Sequence, residues 1–191
     1  MTFSKNHAFT LVELMVAIAI IGVLTAIAFV AFGGAKMKSR DTTRISDLSQ
    51  IQSAVEQYYM KCKQYPLDLR LTSSNGCTNG ITLGSFMSTP PNNPSTKNPY
   101  NYMIIDPTAT TIPNGGSYSP SDYILMANLE NTNDASLSDD IDLNNAQLGN
   151  YYVYNFSGNS YSKVSSNANI SCEDTYTVSG TTYHGYCLRA Q

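Results

Sequence analysis

The sequence has no tryptophan, only two histidines and only four cysteines among its 191 residues. Charged residues make up 13% of the chain, about half the share that is usual for soluble globular proteins. The net charge of −3 at pH 7 argues against the broad basic surface that nucleic-acid binding requires. It is also too small for an acidic disordered tail. We therefore predict no nucleic-acid partner.

The residue patterns of the common enzyme classes are also missing from the sequence. It has no glycine-rich phosphate loop and no Gly-x-Ser-x-Gly nucleophile elbow. No set of His, Cys and Asp has metal-ligand spacing, and no serine has an evident general base. His184 lies between tyrosines near the C-terminus and is interpreted as a surface residue at a strand end. We therefore predict that the protein is not an enzyme and needs no cofactor.

A long apolar run lies near the N-terminus. Residues 9–35 contain one formal charge, Glu13, and no proline. A helix of this length spans about 40 Å, which exceeds the roughly 30 Å hydrocarbon core of a bilayer. The run is therefore predicted to be a membrane-spanning segment or an export signal.

The residues around Glu13 carry a recognisable motif. Residues 8–15 read Ala-Phe-Thr-Leu-Val-Glu-Leu-Met. This segment resembles the processing motif of type IV pilins and type II secretion pseudopilins. The resemblance implies that a prepilin peptidase removes residues 1–8 by cutting between Ala8 and Phe9, and that the new amine of Phe9 is then methylated. The family usually has glycine where this chain has Ala8, which is also small.

The resemblance also implies a role for Glu13, the fifth residue of the implied mature chain. In the family this glutamate forms an assembly salt bridge with the N-terminal amine of a neighbouring subunit. An unpaired acid in hydrocarbon costs roughly 2.5–3.5 kcal/mol on insertion scales, so the pairing relieves both charges. The alternative is that Glu13 lies at the membrane interface in the first helical turn, where a negative charge suits the helix dipole.

A second helical pattern follows the apolar run and ends before Pro66, which stops a helix. We predict one long helix with a transmembrane half, residues 9–35, and an amphipathic half, residues 36–65. The apolar face of the second half recurs at steps of three or four and consists of Ile45, Leu48, Ile51, Val55, Tyr58 and Cys62. The charged residues of this half are predicted to lie on its other faces, where they are either solvated or pair between subunits. They are Lys38, Arg40, Asp41, Arg44, Asp47 and Glu56.

The rest of the chain, residues 66–191, is predicted to be a globular β-rich head. The connections between candidate strands are too short and polar for crossover helices, which favours antiparallel pairing. The fold class is therefore α+β, the pilin-like arrangement of a long N-terminal helix packed on a small antiparallel sheet. Apolar residues on both faces of residues 123–129 indicate a central strand over a helix. The predicted strands are residues 100–105, 123–129, 151–156, 161–164, 175–178 and 182–186.

The four cysteines, Cys62, Cys77, Cys172 and Cys187, form no Cys-x-x-Cys pair, which argues against zinc and thioredoxin-like sites. They allow three pairings, of which the local one, Cys62 with Cys77 and Cys172 with Cys187, is the simplest. The second bond would close a C-terminal loop like the one that many type IV pilins carry. The alternative is four buried thiols. Disulfides need an oxidising compartment, which agrees with an exported head.

An acidic segment near residues 131–145 raises the question of calcium. Residues 90–102 faintly resemble the proline-rich turn and strand of the major pseudopilin, which binds calcium in a later loop. Carboxylates are suitable calcium ligands, but the spacing here matches no known loop, so a solvated acidic loop is the preferred interpretation. The carboxylates concerned are Asp134, Asp139, Asp140 and Asp142.

The resemblance implies a structural subunit that polymerises with copies of itself and related pilins into the helical filament of a type IV pilus or a type II secretion pseudopilus. Its implied partners are the prepilin peptidase and an inner-membrane assembly platform driven by a cytoplasmic ATPase. It implies a single-pass inner-membrane protein before assembly, with the N-terminus in the cytoplasm and the head outside. After assembly, it implies an extracellular or periplasmic filament.

Two observations favour other interpretations. Lys36, Lys38 and Arg40 follow the apolar run, and the positive-inside rule alone would place the head in the cytoplasm, although long domains translocate largely regardless of charge. The small residues that end at Ala35 resemble a signal-peptidase site. The alternative function is therefore a secreted soluble binding or adhesin domain released by cleavage near Ala35.

Overall fold

The structure is a computed structural model that describes residues 9–72, 77, 80–105, 120–131, 135–138, 140–143, 151–155, 160–163, 172, 176–178 and 181–190. The chain divides into two compact units, Met1–Met37 and Lys38–Gln191. The first described element, helix α1, runs from Leu11 to Cys62 and has 52 residues. Lys63 then takes a φ of 59°, the left-handed conformation that commonly follows a helix end. The single long helix is therefore confirmed.

The second unit contains an antiparallel sheet with the strand order β4-β3-β1-β2-β6-β5. All six predicted strands are present, and β6 extends three residues beyond its prediction because its C-terminal end continues to pair with β2. The strands are β1 Asn101–Ile105, β2 Asp122–Leu129, β3 Tyr152–Asn155, β4 Ser160–Lys163, β5 Tyr176–Val178 and β6 Thr181–Arg189. Two short 3-10 helices, Leu83–Ser85 and Ala135–Ser138, lie in the connections. The α+β pilin-like fold is thus confirmed.

The main core lies between α1 and one face of the sheet. The predicted apolar stripe faces inward, because Leu48, Ile51, Val55 and Tyr58 are fully buried. They pack in one cluster with alternate residues of β2, Tyr123, Leu125, Ala127 and Leu129. Burial of this many large side chains, at roughly 1.5–3 kcal/mol each, is the main force that fixes the helix on the sheet.

The opposite face of β2 is also buried. Ile124 and Met126 form a second cluster with Met103 of β1, Tyr151 and the Cys172–Cys187 pair. β2 is therefore a central strand that is apolar on both faces, as its sequence predicts.

Disulfides join Cys62 to Cys77 and Cys172 to Cys187. The first links the end of α1 to the connection that follows it. The second is part of the second core cluster, where the carbonyl oxygens of Cys172 and Cys187 accept backbone hydrogen bonds from Leu143 and Ile141 at 3.3 and 3.2 Å. This bond therefore fastens the 141–143 segment and Cys172 to β6.

Several charged residues that the sequence assigns to exposed faces are buried, so that assignment is wrong for them. Asp41, Arg44 and Asp47 are only 0%, 3% and 9% exposed. Asp41 and Arg44 precede Leu48 by seven and four positions, so they continue the same helical stripe that the apolar residues occupy. Asp47 accepts a hydrogen bond of 2.7 Å from the buried Tyr100 hydroxyl.

The buried charges form an ion-pair cluster between α1 and the end of β2. Arg44 donates to Asp41 and to Glu130, each at 2.5 Å, and Arg40 also pairs with Glu130. The Asp41 carboxylate also accepts the backbone N–H groups of Glu130 and Asn131 at 3.0 and 2.8 Å. Each carboxylate therefore has cationic or backbone donors, which is the condition under which buried charge is tolerated.

The cluster changes the acidity of Glu130. Hydrogen bonds from Arg40, together with the hydrogen bond and charge of Arg44, lower the pKa of Glu130 from 4.5 to about 2. Glu130 is therefore ionised in the folded protein under all ordinary conditions.

Replacing Arg44 by methionine is expected to destabilise the protein by about 3–5 kcal/mol, because it leaves Asp41 buried without its cation. The matched control is Arg40→Met, whose side chain is 28% exposed and whose loss should cost only about 1 kcal/mol. Urea unfolding of the full chain in detergent micelles, followed by near-ultraviolet circular dichroism of the tyrosines, measures both values. Equal losses in the two variants would contradict the buried role of Arg44.

The stability that Glu130 contributes is expected to depend on pH. Its pKa is lower when folded, about 2, than its ordinary 4.5, so the contribution is complete above pH 4.5 and is lost as the pH falls toward 2. The unfolding free energies of the wild type and of Glu130→Gln should therefore differ most at neutral pH and converge in acid. A difference that stays constant from pH 7 to pH 2 would refute this assignment.

The two disulfides are expected to differ in their rates of reduction. Cys172 and Cys187 are fully buried, whereas Cys62 and Cys77 are partly exposed, and access limits thiol–disulfide exchange. Limited dithiothreitol treatment, alkylation and peptide mass spectrometry should therefore label Cys62 and Cys77 first. Opening that 15-residue loop should cost about 3 kcal/mol. In denaturant the two bonds should react at similar rates; a preference for Cys172–Cys187 in the folded chain would contradict the burial argument.

Candidate functional site

The N-terminal half of α1 exposes a continuous apolar surface. Its large apolar side chains that the structure describes range from 52% exposed for Val16 to 88% for Phe9. Among the residues that the structure describes, α1 is the helix that is both long enough and apolar enough to cross a membrane. Its most apolar window has a mean hydropathy of 2.8. Water disfavours so large an apolar surface, so this segment requires a bilayer or other apolar helices around it.

Glu13 closes the start of this helix. The Glu13 N–H donates to Thr10 Oγ1 at 3.3 Å, and the Thr10 N–H and hydroxyl donate to Glu13 Oε2 at 2.9 and 2.8 Å. This reciprocal pair is a capping box, which satisfies backbone donors that the first helical turn leaves open. The Thr-x-x-Glu spacing is the recognised signal of this motif in a sequence, and it was not among the predicted features.

The capping box uses only one oxygen of the carboxylate. Within the described residues Glu13 Oε1 accepts no hydrogen bond. The side chain can therefore hold the helix start through Oε2 and still accept a donor from another molecule through Oε1. Phe9, where the predicted new N-terminus lies, immediately precedes Thr10, and Ala8 lies outside the described residues.

The other polar side chain in the middle of this segment is satisfied within the helix. The Thr25 hydroxyl donates to the carbonyl oxygens of Ile21 and Gly22, both at 2.9 Å. Such bonding allows a hydroxyl to lie in hydrocarbon without a further partner. Glu13 is therefore the group in residues 9–35 whose burial in an apolar medium demands a charged partner.

Carboxylates of the second unit are used to hold tyrosines. Glu56 accepts hydrogen bonds from the hydroxyls of Tyr123 at 2.8 Å and Tyr65 at 3.3 Å, and Asp122 accepts one from Tyr151 at 2.9 Å. Burial, together with the neighbouring carboxylate, raises the pKa of Tyr123 and Tyr65 and raises the pKa of Tyr151 to about 12. These phenols therefore remain protonated donors, which is a structural role and not that of a nucleophile or base.

His184 does not lie on the surface. It is 5% exposed and pairs with Leu129 of β2, so the interpretation as an exposed strand-end residue is wrong. The reason is that β6 pairs with β2 on one side and with β5 on the other, and the register sets His184 opposite Leu129, so its side chain lies on the face that packs on α1. Neither ring nitrogen has a hydrogen-bond partner among the described residues.

The structure describes only part of the predicted acidic loop. Asp134 and Asp139 lie outside the described residues, and Asp140 accepts a hydrogen bond of 3.4 Å from the Cys187 N–H. Among the residues that are described, no group of three or more His, Cys, Asp or Glu side chains could hold a metal ion. A structural role for Asp140 follows from its bond to β6.

Comparisons with known proteins place these features in context. The family described as the prokaryotic N-terminal methylation motif matches residues 3–29. The chain is also 42% identical over 53 residues to a probable minor fimbrial protein of Dichelobacter nodosus, a match that covers 28% of this chain. It spans only a third of that curated relative, 33% of its length. No solved structure matches the chain.

The family match lies on the segment that contains Phe9, the capping box and the exposed apolar helix. The fold that follows is the long helix packed on an antiparallel sheet that the motif implies. The chain therefore carries the prokaryotic N-terminal methylation motif, and this motif, the fimbrial relative and the fold together support a place in the type IV pilin family.

Proposed function

We propose that the protein is a structural subunit that polymerises through its N-terminal helix into a type IV pilus or type II secretion pseudopilus filament. Residues 1–8 are a leader that prepilin peptidase removes before Phe9, which is then methylated. Residues 9–35 are the transmembrane half of the helix, residues 36–65 its amphipathic half and residues 66–191 the head.

The observation that carries this proposal is the exposed apolar surface of α1 with one carboxylate near its start. A bilayer covers such a surface in the single subunit, and the helices of neighbouring copies cover it in a filament. When the helix moves from the bilayer into the filament, its surroundings are apolar before and after. The move therefore does not require the helix to enter water. The relative named as a minor fimbrial protein supports this use of the segment.

Glu13 determines how an added subunit aligns with its neighbours. Its Oε1 accepts a hydrogen bond from the methylated ammonium group of Phe9 in a second copy, while Oε2 keeps its hydrogen bonds with Thr10 in the capping box. Both charges are costly in an apolar medium when they are alone, so an alignment that brings them together is favoured over alignments that do not.

The proposal defines the partners and location of the protein. Before assembly the subunit spans the inner membrane once, with its N-terminus in the cytoplasm and its head outside. A platform in that membrane, driven by a cytoplasmic ATPase, moves it into a filament of its own copies and related pilins, outside the cell or in the periplasm. The two disulfides agree with an oxidising environment for the head.

Two substitutions at Glu13 separate its charge from its capping role. Glu13→Gln keeps an acceptor for the capping box but removes the charge, and Glu13→Val removes both. We expect both variants to lose most filaments, by about 10-fold or more, because the ammonium group loses its anionic partner. The measurement is the yield of sheared filaments by electron microscopy and immunoblotting, relative to total subunit.

Intact mass of the chain, measured both in the membrane extract and in the secreted fraction, is the control for processing. A mass that starts at methylated Phe9 in the wild type and in both variants shows that the variants fail after maturation. A wild-type chain that starts at Lys36 would instead establish the secreted soluble domain. Wild-type filament yield from Glu13→Gln, with loss only in Glu13→Val, would show that Glu13 acts through the helix cap and not through its charge.

A further inference from the structure

A small cleft lies on the sheet face that points away from α1. One wall is the turn formed by residues 93–98, and the floor is formed by the start of β1 and the end of β2, including Asn101, Met126 and Asn128. Its volume is about 170 Å³, which is below the roughly 300–1,000 Å³ of sites for drug-sized ligands. We call it the amide cleft, and it has room for one small ring.

The wall of the amide cleft is held in place by hydrogen bonds. The Asn93 side chain accepts the N–H groups of Ser95 and Thr96 at 2.9 and 3.3 Å. The backbone N–H groups of Asn93 and Lys97 donate to the carbonyl oxygens of Asn98 and Asn93, both at 2.9 Å. A turn that is already ordered loses little conformational freedom when it binds a ligand.

The buried ion-pair cluster anchors this turn to the helix. Arg44 Nη2 donates to Ser95 Oγ at 2.7 Å, and the same hydroxyl donates to Glu130 at 3.2 Å. The residue that ties the turn down is therefore bound to groups that are themselves fixed by several ion pairs. This arrangement makes the cleft a stable feature of the fold.

The chemistry of the lining is uncharged and polar. Side-chain amides of Asn93, Asn98, Asn101 and Asn128 and the Thr96 hydroxyl line it, and none of its lining residues is charged. The Asn98 side chain is exposed and forms no hydrogen bond with the described part of the chain. An amide offers both donors and an acceptor, which complements a ligand whose groups each donate and accept, such as a hydroxyl.

The common modes of peptide binding do not fit this cleft. β2 is paired on both sides, with β1 and with β6, so it offers no free edge for an added strand. The lining has no Arg for an acidic or phosphorylated group, and Met126 and Ala127 are only 1% and 2% exposed, which leaves too little apolar surface for an amphipathic helix. Phosphate-rich nucleic acid would also need cations in the lining.

We infer that the amide cleft is a binding site for one ring of a neutral saccharide. Adjacent hydroxyls of the sugar exchange hydrogen bonds with the side-chain amides of Asn98 and Asn101. This inference concerns the head alone and does not depend on filament assembly.

The test is a titration of the ¹⁵N-labelled full chain in polyoxyethylene-detergent micelles, which carry no sugar headgroup. Glucose, galactose, mannose and N-acetylglucosamine are added separately, and triglycine serves as the peptide probe. We expect at least one sugar to shift the side-chain amide signals of Asn98 and Asn101 saturably, with a Kd of about 1–10 mM for a ligand of this size. No saturable shift with any of the four sugars, or saturation by triglycine alone, would overturn the inference.

Matched variants locate the site. Asn98→Ala and Asn101→Ala should each weaken sugar binding by about fivefold or more, because each removes a hydrogen-bonding partner. Asn92→Ala changes an exposed amide of the same segment outside the cleft lining and should leave the Kd within about twofold. Unchanged binding in both cleft variants would show that the sugar binds elsewhere. If Asn101→Ala alters backbone signals far from the cleft, the result of Asn98→Ala alone decides the outcome. The Asn98 side chain is exposed, so its removal should not disturb the fold.

Discussion

The structure depends on one constraint, which is that the apolar N-terminal half of α1 cannot remain in water. Those of its large apolar side chains that the structure describes between Leu11 and Phe32 are exposed, and residues 9–35 carry a single charge. Two apolar media can cover it, a bilayer or a bundle of similar helices, and both also require that backbone groups be satisfied within the segment. The continuous helix, the Thr25 hydroxyl bonded to its own helix and the Thr10–Glu13 cap all meet that requirement.

The second half of α1 meets a different constraint, because it packs on a sheet. Here an apolar stripe supplies most of the attraction, and the ion-pair cluster of Asp41, Arg44 and Glu130 fixes where along the helix the end of β2 is held. Apolar packing alone tolerates sliding by a helical turn, since Leu, Ile and Val are similar in shape. A buried ion pair does not tolerate such sliding, because it would leave each charge buried without its partner. The charges therefore contribute specificity to a contact that burial of apolar surface makes stable.

The parts of the fold that follow from local patterns could be predicted from the sequence. The periodicity that ends at Cys62 predicted which face of α1 is buried, and apolar residues on both faces of β2 predicted that this strand is central. The burial of Asp41 and Arg44 could not be predicted from their charge, because their partner Glu130 lies 86 or more residues away. Their positions on the apolar stripe were the available signal. The burial of His184 was not predicted because it depends on which strand β6 pairs with and on which face its side chain then lies, and no local pattern specifies either.

The two roles of Glu13, the cap that the structure shows and the salt bridge that we propose, are compatible because they use different oxygens and act at different stages. As the third residue of the helix it accepts from Thr10, which orders the backbone directly behind Phe9. An N-terminus held close to a rigid helix start occupies fewer positions than a disordered one, so less entropy is lost when its ammonium group meets a carboxylate of another copy. The cap thus orders the same end of the chain that the proposed charge pair would join. The proposal therefore implies that the spacing between Phe9, Thr10 and Glu13 matters for assembly as well as the charge of Glu13.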